Sequence, residues 1–204
     1  MSEVVLATRS AGKLRELGPM LRAAGFTPRL LGDVGVSPDP AEEAIEVHAT
    51  FEENARAKAA YFWARCGGRA VLAEDSGIVV SALGGAPGVW SRRFSGRADL
   101  EGEAQDAANN DELLRRLRGI AERSAHYESW AVWQDAGGVL VAAGRCTGRI
   151  LEAPEGTGGF GYDPLFFSDD LGMGFGVASR EAKDAVSHRG RAVQALLAQV
   201  ARGR

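Results

Sequence analysis

Two adjacent carboxylates, Glu74 and Asp75, follow the apolar run Val71-Leu72-Ala73 and precede Ser76 and Gly77. Carboxylate oxygens are the ligands that hard divalent cations prefer, and such a cation can neutralise the oxygens of a phosphate. The pattern therefore predicts a site for a divalent cation and a phosphate-bearing ligand where a buried strand ends. The same residues also suit a simple turn after a strand, because Asp, Ser and Gly are common turn residues.

A second candidate segment lies between a predicted first strand and first helix; we name it the phosphate loop, and it consists of Thr8, Arg9, Ser10, Ala11, Gly12 and Lys13. Free backbone N–H groups and the positive end of a helix favour an anion at such a place, and Lys13 adds a full charge. It is not a Walker A motif, because Leu14 stands where that motif has Ser or Thr. The alternative is an ordinary helix start with a solvated lysine.

The glycine-dense segment Gly156–Gly161 satisfies the G-x-G-x-x-G spacing of dinucleotide-binding loops. Tyr162, Asp163 and Pro164 follow it, however, and a strand-to-helix transition there is unfavourable. We therefore reject a dinucleotide fingerprint. So many glycines around Phe160 indicate a backbone that approaches a ligand closely, with Phe160 free to stack on a flat ring. The alternative is a tight loop in which Phe160 plugs the core.

Three further groups of polar residues carry weaker signals. Lys183 and the run Ser187–Arg191 are predicted to open the last helix, with Ser187 as its N-cap. By themselves these residues are more typical of a solvated helix start than of a binding site. Glu46 is by itself more typical of a surface carboxylate than of a metal ligand.

Composition narrows the class of protein. The chain has 204 residues, 45% of them apolar, and a net charge of −3. It is long enough for one substantial domain or two packed lobes, and it lacks the basic face that nonspecific nucleic-acid binding requires. Cys66 and Cys146 have neither zinc-ligand nor disulfide-framework spacing, and we expect buried thiols. With no export signal and no apolar run of eighteen residues, we expect no membrane insertion and a cytoplasmic location.

Hydrophobic periodicity predicts mixed strands and helices, and so an α/β class. A capping box at Thr50 and Glu53 predicts the start of the second helix. The acidic pair is predicted to end the strand after that helix, and a hairpin-bearing lobe is predicted in the middle of the chain. The predicted strands are 4–7, 69–74, 125–132 and 138–147, and the predicted helices are 12–24, 51–65, 103–117 and 189–201.

Taken together, the motifs resemble the inosine triphosphate pyrophosphatase family, whose members hydrolyse non-canonical purine nucleoside triphosphates to monophosphates. Six matching stretches fall in order along the chain, from near residue 6 to near residue 190. They are Leu6–Lys13, Thr50–Ala59, Asp75–Gly77, Leu83–Gly88, Gly156–Pro164 and Ser187–Gly190. Six ordered motifs are far more specific than any one of them.

The resemblance implies an elongated α/β fold in which helices flank a mixed sheet, with residues 1–204 forming a single domain of two lobes and the active-site cleft between the lobes. It implies a homodimer that uses Mg²⁺. It also implies a nucleoside triphosphate pyrophosphatase that clears ITP, dITP and XTP from the nucleotide pool, with no nucleic-acid polymer and no membrane as partner.

The resemblance also implies roles for individual residues. The phosphate loop would hold the triphosphate, and Ser76 would touch the substrate. Asp75 would be a metal ligand and the proton acceptor, and Glu46 and Glu74 would complete the metal site. The residues implied to bind the nucleotide, the last three of them around the base, are Phe160, Gly161, Tyr162, Asp163, Lys183, His188 and Arg189.

The phosphate loop departs from the family pattern at two positions. The family usually has asparagine where this chain has Ser10 and a small residue where it has Arg9. A serine hydroxyl offers fewer hydrogen-bonding groups than an amide, so a phosphate contact at Ser10 is the weakest of the implied roles, and Arg9 is a candidate to compensate for it.

The sequence disfavours three other functions. A Maf-like pyrophosphatase of modified pyrimidine triphosphates would share the phosphate loop and the acidic ligands, but His188-Arg189 and the Phe160 loop disfavour it. A catalytically idle nucleotide-binding regulator is disfavoured by intact Lys13, Asp75 and Lys183. An RNA-binding module would need a basic stripe with interleaved aromatic residues, and this acidic sequence has no such stripe.

Overall fold

Residues 2–203, without the side chain of Ala11, are described by a computed structural model and form an α/β fold. The strands are β1 (Ser2–Leu6), β2 (Phe26–Leu30), β3 (Ala70–Val80), β4 (Ser124–Asp135), β5 (Gly138–Ile150), β6 (Phe166–Ser168) and β7 (Met173–Gly174). They form one sheet in the order β2-β1-β3-β4-β5-β6-β7. The α-helices are α1 (Ala11–Ala23), α2 (Phe51–Trp63), α3 (Gly102–Arg116), α4 (Arg180–Val186) and α5 (His188–Arg202). Within the described range, no helix combines the length and the apolar character that crossing a bilayer requires.

The chain divides into two compact units. The first unit contains Met1–Asp75, Ser129–Gly144 and Arg189–Arg204, and the second contains Ser76–Glu128 and Arg145–His188. The two boundaries at Asp75 and Arg189 fall inside or beside the motifs that carry the predicted chemistry. The strands β3, β4 and β5 each contribute residues to both units.

In the first unit, β1 runs parallel to both β2 and β3. Successive side chains of a strand point to opposite faces of a sheet, and β1 uses this alternation to build two cores. Val4 and Leu6 pack with residues of α1 and α5, such as Leu17 and Val193. Val5 packs on the other side with Ala55, Ala59 and Phe62 of α2. Helices therefore cover both faces of this part of the sheet.

The second unit has its own aromatic core. Tyr127, Phe166 and Phe175 are buried together with Leu113 of α3 and Ile78 of β3. The strands β5, β6 and β7 form an antiparallel series, in which Ile150 pairs with Phe166 and Phe167 pairs with Gly174. This core supports the loop that contains Phe160.

The prediction that a strand ends at the acidic pair is wrong, because β3 continues through Asp75-Ser76-Gly77 to Val80. A Cβ at Gly77 would lie 2.3 Å from Ser91 Oγ and 2.7 Å from the Gly88 carbonyl oxygen. Glycine at this position therefore reflects a close approach of the neighbouring backbone within a strand, not a turn.

Three other expectations also need correction. Lys183 does not open the final helix: it lies in α4, a helix absent from the sequence prediction, whereas Ser187, predicted as the N-cap, ends α4 and directly precedes α5. The predicted middle lobe is not a separate body, because the Ser129–Gly144 part of the β4–β5 hairpin belongs to the first unit. The strand β2 was also missed. It contains Pro28, which an edge strand tolerates.

Candidate active site

The phosphate loop lies where the sequence predicted it, between β1 and the first turn of α1. Ser10 is the N-cap, with an extended backbone, and makes no side-chain capping bond. The Thr8 hydroxyl instead accepts a hydrogen bond from Ser10 N at 3.1 Å. Lys13 lies in the first turn of a helix whose initial N–H groups have no partner within the helix, which is the usual setting for an anion.

Glu74 is the centre of a buried ionic network in the first unit. Its Oε1 atom lies 2.5 Å from Lys13 Nζ and accepts a hydrogen bond from Arg189 Nε at 3.0 Å. Its Oε2 atom accepts a hydrogen bond from the Ser129 hydroxyl at 3.1 Å. Arg189 also donates from Nη1 to Glu16 at 2.6 Å. Glu74 is thus bound between α1 and α5.

The charges in this network depend on one another. Burial disfavours the ionised form of Glu74, but Arg189 and Lys13 outweigh burial and hold the pKa of Glu74 well below its usual value. Burial lowers the pKa of Lys13, and Glu74 opposes that change. Burial also opposes the charge of Arg189, but Glu74 and Glu16 raise its pKa above the ordinary value. Glu74 is therefore ionised at neutral pH.

Asp75 has a different environment, because its partner belongs to α2. Asn54 Nδ2 donates to Asp75 Oδ2 at 3.0 Å, and Asn54 Oδ1 accepts from His48 N at 2.9 Å. Burial raises the pKa of Asp75 to about 6; Lys58 opposes that rise, whereas Glu46 and Glu74 add to it. Asp75 is thus a carboxyl that titrates close to neutrality, as a general base requires.

Lys58 connects Glu46 to the backbone of the acidic segment. Its Nζ atom donates to the Glu74 carbonyl oxygen at 3.0 Å and forms an ion pair with Glu46. The sequence left open whether Asn54 and Lys58 support the site or pack the helix. Both side chains are buried and both bind the acidic segment, so they support the site.

The donor types at Asp75 and Glu46 fit a magnesium ion. Both are carboxylates on the side of β3 that faces α2, and an added cation would oppose the burial and the neighbouring negative charges that raise the pKa of Asp75. Glu74 binds Lys13 and Arg189 instead, on the side of α1 and α5. Among residues 2–203, no group of three or more His, Cys, Asp or Glu side chains is already arranged around one metal position.

In the second unit, Phe160 is exposed over 62% of its surface, so the alternative that it plugs the core is wrong. Lys183 Nζ lies 4.5 Å from the centroid of the Phe160 ring and also forms an ion pair with Asp163. Asp163 accepts a hydrogen bond from Phe160 N at 2.8 Å. An exposed aromatic face and a lysine thus lie side by side.

His188 stacks on Tyr127 in the same unit. The ring centroids are 4.8 Å apart and the planes differ by 10°. Tyr127 OH donates to Asp163 Oδ1 at 3.4 Å, and burial and the Asp163 charge raise the pKa of Tyr127 well above its usual value. Tyr127 therefore links His188 to the residue that binds Lys183. No sequence motif pointed to Tyr127.

The loop that contains Phe160, Gly161 and Tyr162 is held by hydrogen bonds to α3 and to the segment that precedes α3. Asp106 accepts from Gly161 N at 2.7 Å, and Asn110 donates to the Gly161 carbonyl oxygen at 2.9 Å. Tyr162 OH donates to the Ser91 carbonyl oxygen at 2.7 Å. Gly161 and Tyr162 are thus fixed through their backbone and hydroxyl groups, respectively.

The glycines of this loop are explained by packing within the protein. A Cβ at Gly156 would lie 2.1 Å from the Gly176 carbonyl oxygen, and one at Gly159 would lie 2.1 Å from Asp163 Oδ2. The close approach that the sequence suggested therefore occurs, but its partners are the chain's own Gly176 and Asp163.

The structure groups the predicted residues into two sets. Lys13, Glu46, Glu74, Asp75 and Arg189 come together in the first unit. Phe160, Asp163, Lys183 and His188 come together in the second, which also contains Ser76, Gly161 and Tyr162. Arg189, expected beside the base, binds Glu74 and Glu16. Glu16 and Ser129 were missed; Glu16 follows Lys13 by three residues and so shares its helix face.

Comparisons with known proteins identify the family of this chain. A family model described as the Ham1 family matches residues 4–199. The chain is 46% identical over 203 residues to a protein of Mycolicibacterium paratuberculosis named dITP/XTP pyrophosphatase, covering 97% of this chain and 95% of that protein. A protein of the same name from Burkholderia pseudomallei is 44% identical over 202 residues, covering 98% and 93% of the two chains.

A solved structure, titled as the Staphylococcus aureus Ham1 protein, matches with a TM-score of 0.85 and 29% identity over the full length of both chains. The resemblance drawn from the six motifs and the mixed α/β class are confirmed by these matches.

Proposed function

The chain belongs to the Ham1 family, and on that premise we propose that it hydrolyses the non-canonical purine nucleotides ITP, dITP and XTP to a monophosphate and pyrophosphate. The names of its relatives support the reaction. The observation that carries the proposal is the pair Glu74-Asp75, one carboxylate held by Lys13 and Arg189 and the other raised in pKa beside Asn54. This pairing places the Lys13 cation, available for phosphate, next to a carboxyl that can take a proton.

In this proposal the phosphate loop binds the triphosphate through the free N–H groups at the start of α1. Lys13 supplies the side-chain charge, and its contact with Glu74 holds it at the site before substrate arrives. Pyrophosphate leaves with the bridging oxygen and an added negative charge, and these fixed donors stabilise that charge.

Asp75 acts as the proton acceptor. Water attacks the α-phosphorus, the bond from that phosphorus to the α–β bridging oxygen breaks, and the water proton passes to the Asp75 carboxylate. Asn54 holds the Asp75 side chain during this step through its hydrogen bond. A pKa of about 6 leaves Asp75 mostly ionised and ready to accept a proton at neutral pH.

We propose Mg²⁺ as the cofactor, with Asp75 and Glu46 as its ligands and Glu74 contributing through its charge. When bound, the ion would neutralise phosphate oxygens and orient the triphosphate. Lys58, which contacts both Glu46 and the Glu74 carbonyl, keeps Glu46 beside the acidic segment.

The base is read by residues of the second unit in this proposal. Phe160 stacks on the purine, while Lys183 and His188 donate to a 6-oxo group, which hypoxanthine and xanthine carry and adenine lacks. Ser76, Gly161, Tyr162 and Asp163 complete the nucleotide site. A site that hydrogen-bonds a particular substrate group discriminates against an analogue that lacks the group by roughly 10⁴-fold or more in kcat/KM. Arg189 contributes by holding Glu74 ionised.

We further propose a homodimer acting in the cytoplasm, where the nucleotide pool lies. Trp90, 56% exposed, is apolar surface that a second copy could cover. Sedimentation equilibrium at several concentrations tests the dimer, and a single species at the mass of one chain would reject it.

The first experiment is product analysis with ITP, XTP, ATP and GTP in the presence of Mg²⁺, with pyrophosphate assayed separately. We expect monophosphate and pyrophosphate from ITP and XTP and little product from ATP. GTP shares the 6-oxo group, so discrimination against it is expected to be weaker. Diphosphate with orthophosphate, or no turnover of any of the four nucleotides, would reject the proposal.

A further inference from the structure

Arg9, one of the two departures in the phosphate loop, has all three of its nitrogen atoms engaged by a distant segment of the first unit. Nε donates to Glu42 Oε2 at 2.9 Å, and Nη2 also bonds to Glu42 Oε1. Nη1 donates to the Val36 carbonyl oxygen at 3.1 Å, and Nη2 donates to that of Ser37 at 2.8 Å. These partners lie 27 to 33 residues along the chain.

We propose that Arg9 is a positioning residue, which fixes the phosphate loop against the 36–46 segment that ends in Glu46. This inference rests on the proposed function and assigns a role within the same site. A forked pair with a carboxylate has fixed geometry, and two carbonyl contacts add to it. Arg9 therefore holds the loop in place, and the triphosphate is bound by the loop's backbone groups and Lys13.

The opposite role would be direct contact between Arg9 and the triphosphate, in place of the asparagine that the family usually has nearby. To make that contact, Arg9 would have to leave Glu42 and both carbonyl oxygens. The hydrogen bond with Glu42 raises the pKa of Arg9 above its usual value. The two roles predict opposite behaviour when Glu42 is changed, because a direct ligand would gain freedom and a positioning residue would lose its anchor.

The test is a double-mutant cycle with Arg9→Ala, Glu42→Gln and the combined variant, measured as kcat and KM for ITP. Glutamine keeps a side-chain acceptor for the Asp39 N–H, which Glu42 binds at 3.2 Å. We expect each single variant to raise KM about fivefold to tenfold with kcat within about twofold, and the combined variant to match the single variants, since coupled contacts are not additive.

Two further variants sharpen the cycle. Arg9→Lys keeps the charge but lacks the planar guanidinium that binds a carboxylate through two hydrogen bonds. We therefore expect a KM between those of the wild type and Arg9→Ala. The matched control is Arg56→Ala, which removes an exposed ion pair with Glu52 on α2 and should leave KM unchanged. A raised KM in Arg9→Ala alone, with Glu42→Gln unchanged or improved, would overturn the positioning role and assign Arg9 to the phosphate.

Hydrogen–deuterium exchange measures the same link without turnover. Arg9→Ala and Glu42→Gln should each speed exchange in both segments, residues 8–13 and 36–46, whereas Arg56→Ala should not. Unchanged exchange in either segment would overturn the inference. A wild-type protein that hydrolyses no purine triphosphate, but whose variants show this exchange pattern, would reject the proposed function and leave the link itself established.

Discussion

Glu74 and Asp75 are neighbours in the sequence with different environments in the protein. Successive residues of a strand face opposite sides of a sheet, so β3 presents Glu74 to α1 and α5 and presents Asp75 to α2. Their contacts follow this division, with Lys13 and Arg189 on one side and Asn54 on the other. The result is one carboxyl with a lowered pKa beside one with a raised pKa.

Replacing Asp75 with asparagine should abolish turnover and also stabilise the metal-free protein. Asparagine keeps the shape and can still accept the Asn54 hydrogen bond, but it carries no charge to bury. Chemical denaturation in EDTA at pH 8 should show a free energy of unfolding higher by as much as about 3 kcal/mol, at 1.36 kcal/mol per pKa unit. Near-normal kcat in this variant would reject the role of Asp75.

The size of that stabilising effect depends on pH in a defined window. Because the pKa of Asp75 rises from 3.8 to about 6 on folding, the folded state binds a proton more tightly than the unfolded state. The contribution of protonated Asp75 to the stability of the folded state is therefore fully present below pH 4 and is lost as pH rises through about 6. The gain from Asp75→Asn should thus disappear at low pH; an equal gain at pH 4 and pH 8 would contradict it.

The opposite result is expected for Glu74→Gln. This change leaves Lys13 without its buried partner and leaves Arg189 with Glu16 alone, and breaking a buried pair costs roughly 3–5 kcal/mol. Urea denaturation at pH 7 measures the loss, with Glu16→Gln as the matched control because Arg189 keeps Glu74 in that variant. Since the pKa of Glu74 is lowered, the wild-type advantage should shrink as pH falls below 4.5.

Helix α2 connects local sequence chemistry to the site. Thr50 accepts a hydrogen bond from Glu53 N at 3.2 Å, as predicted for the N-cap. The second bond differs from a capping box, because Glu53 Oε2 accepts from the Thr50 hydroxyl at 2.9 Å and not from the Thr50 backbone N–H. Asn54 and Lys58 follow on the same helix and bind the acidic segment. The start of the helix therefore sets the positions of both supporting side chains.

Thr50→Ala should lower the free energy of unfolding by about 1 kcal/mol, the usual cost of losing an N-cap oxygen. Thr50→Ser is the matched control, because it keeps the hydroxyl and should stay within about 0.5 kcal/mol of the wild type. Equal losses in the two variants, measured by urea denaturation, would show that the methyl group and not the capping oxygen is responsible.

The Phe160 loop offers a steric comparison between two of its glycines. Gly159 and Gly161 both have positive φ angles, 79° and 62°, but only the first has a close neighbour in the position of a Cβ, at 2.1 Å from Asp163 Oδ2. Gly159→Ala should therefore lose about 2 kcal/mol or more, and Gly161→Ala about 1 kcal/mol. Equal losses by thermal denaturation would contradict this explanation.

Periodicity and capping were enough to predict most elements, and their failures have identifiable causes. Helix α4 has seven residues and no buried one, so it offers no apolar stripe to detect. Within the site, the strand, loop and helix order predicted the phosphate loop. The contact of Glu74 with Arg189 joins residues 115 positions apart, and no local pattern encodes such a distance.

At the scale of the whole molecule, the two units share strands and each contains one buried thiol. Cys66 lies in the first unit and Cys146 in the second, with 1% and 0% of their surfaces exposed. Because β3, β4 and β5 contribute residues to both units, we expect the units to unfold in one transition.

Thiol labelling in increasing urea tests this expectation, with each cysteine followed separately by mass spectrometry. Both should be protected in buffer and become reactive with the same midpoint. Cys66→Ala and Cys146→Ala variants control for the effect of one modification on the other site. Two separate midpoints would show that one unit opens while the other stays folded.

The first unit is assembled from the beginning, the middle and the end of the chain, and this has a consequence for biosynthesis. While the protein is being made, β1 and α1 leave the ribosome long before α5, whose Val193 and Leu196 fill their core. Glu74 likewise leaves the ribosome well before Arg189, its hydrogen-bond donor. A nascent chain stalled before residue 189 would carry the acidic pair and the phosphate loop without the helix that joins them. Completion of translation is therefore the step that assembles the network around Glu74.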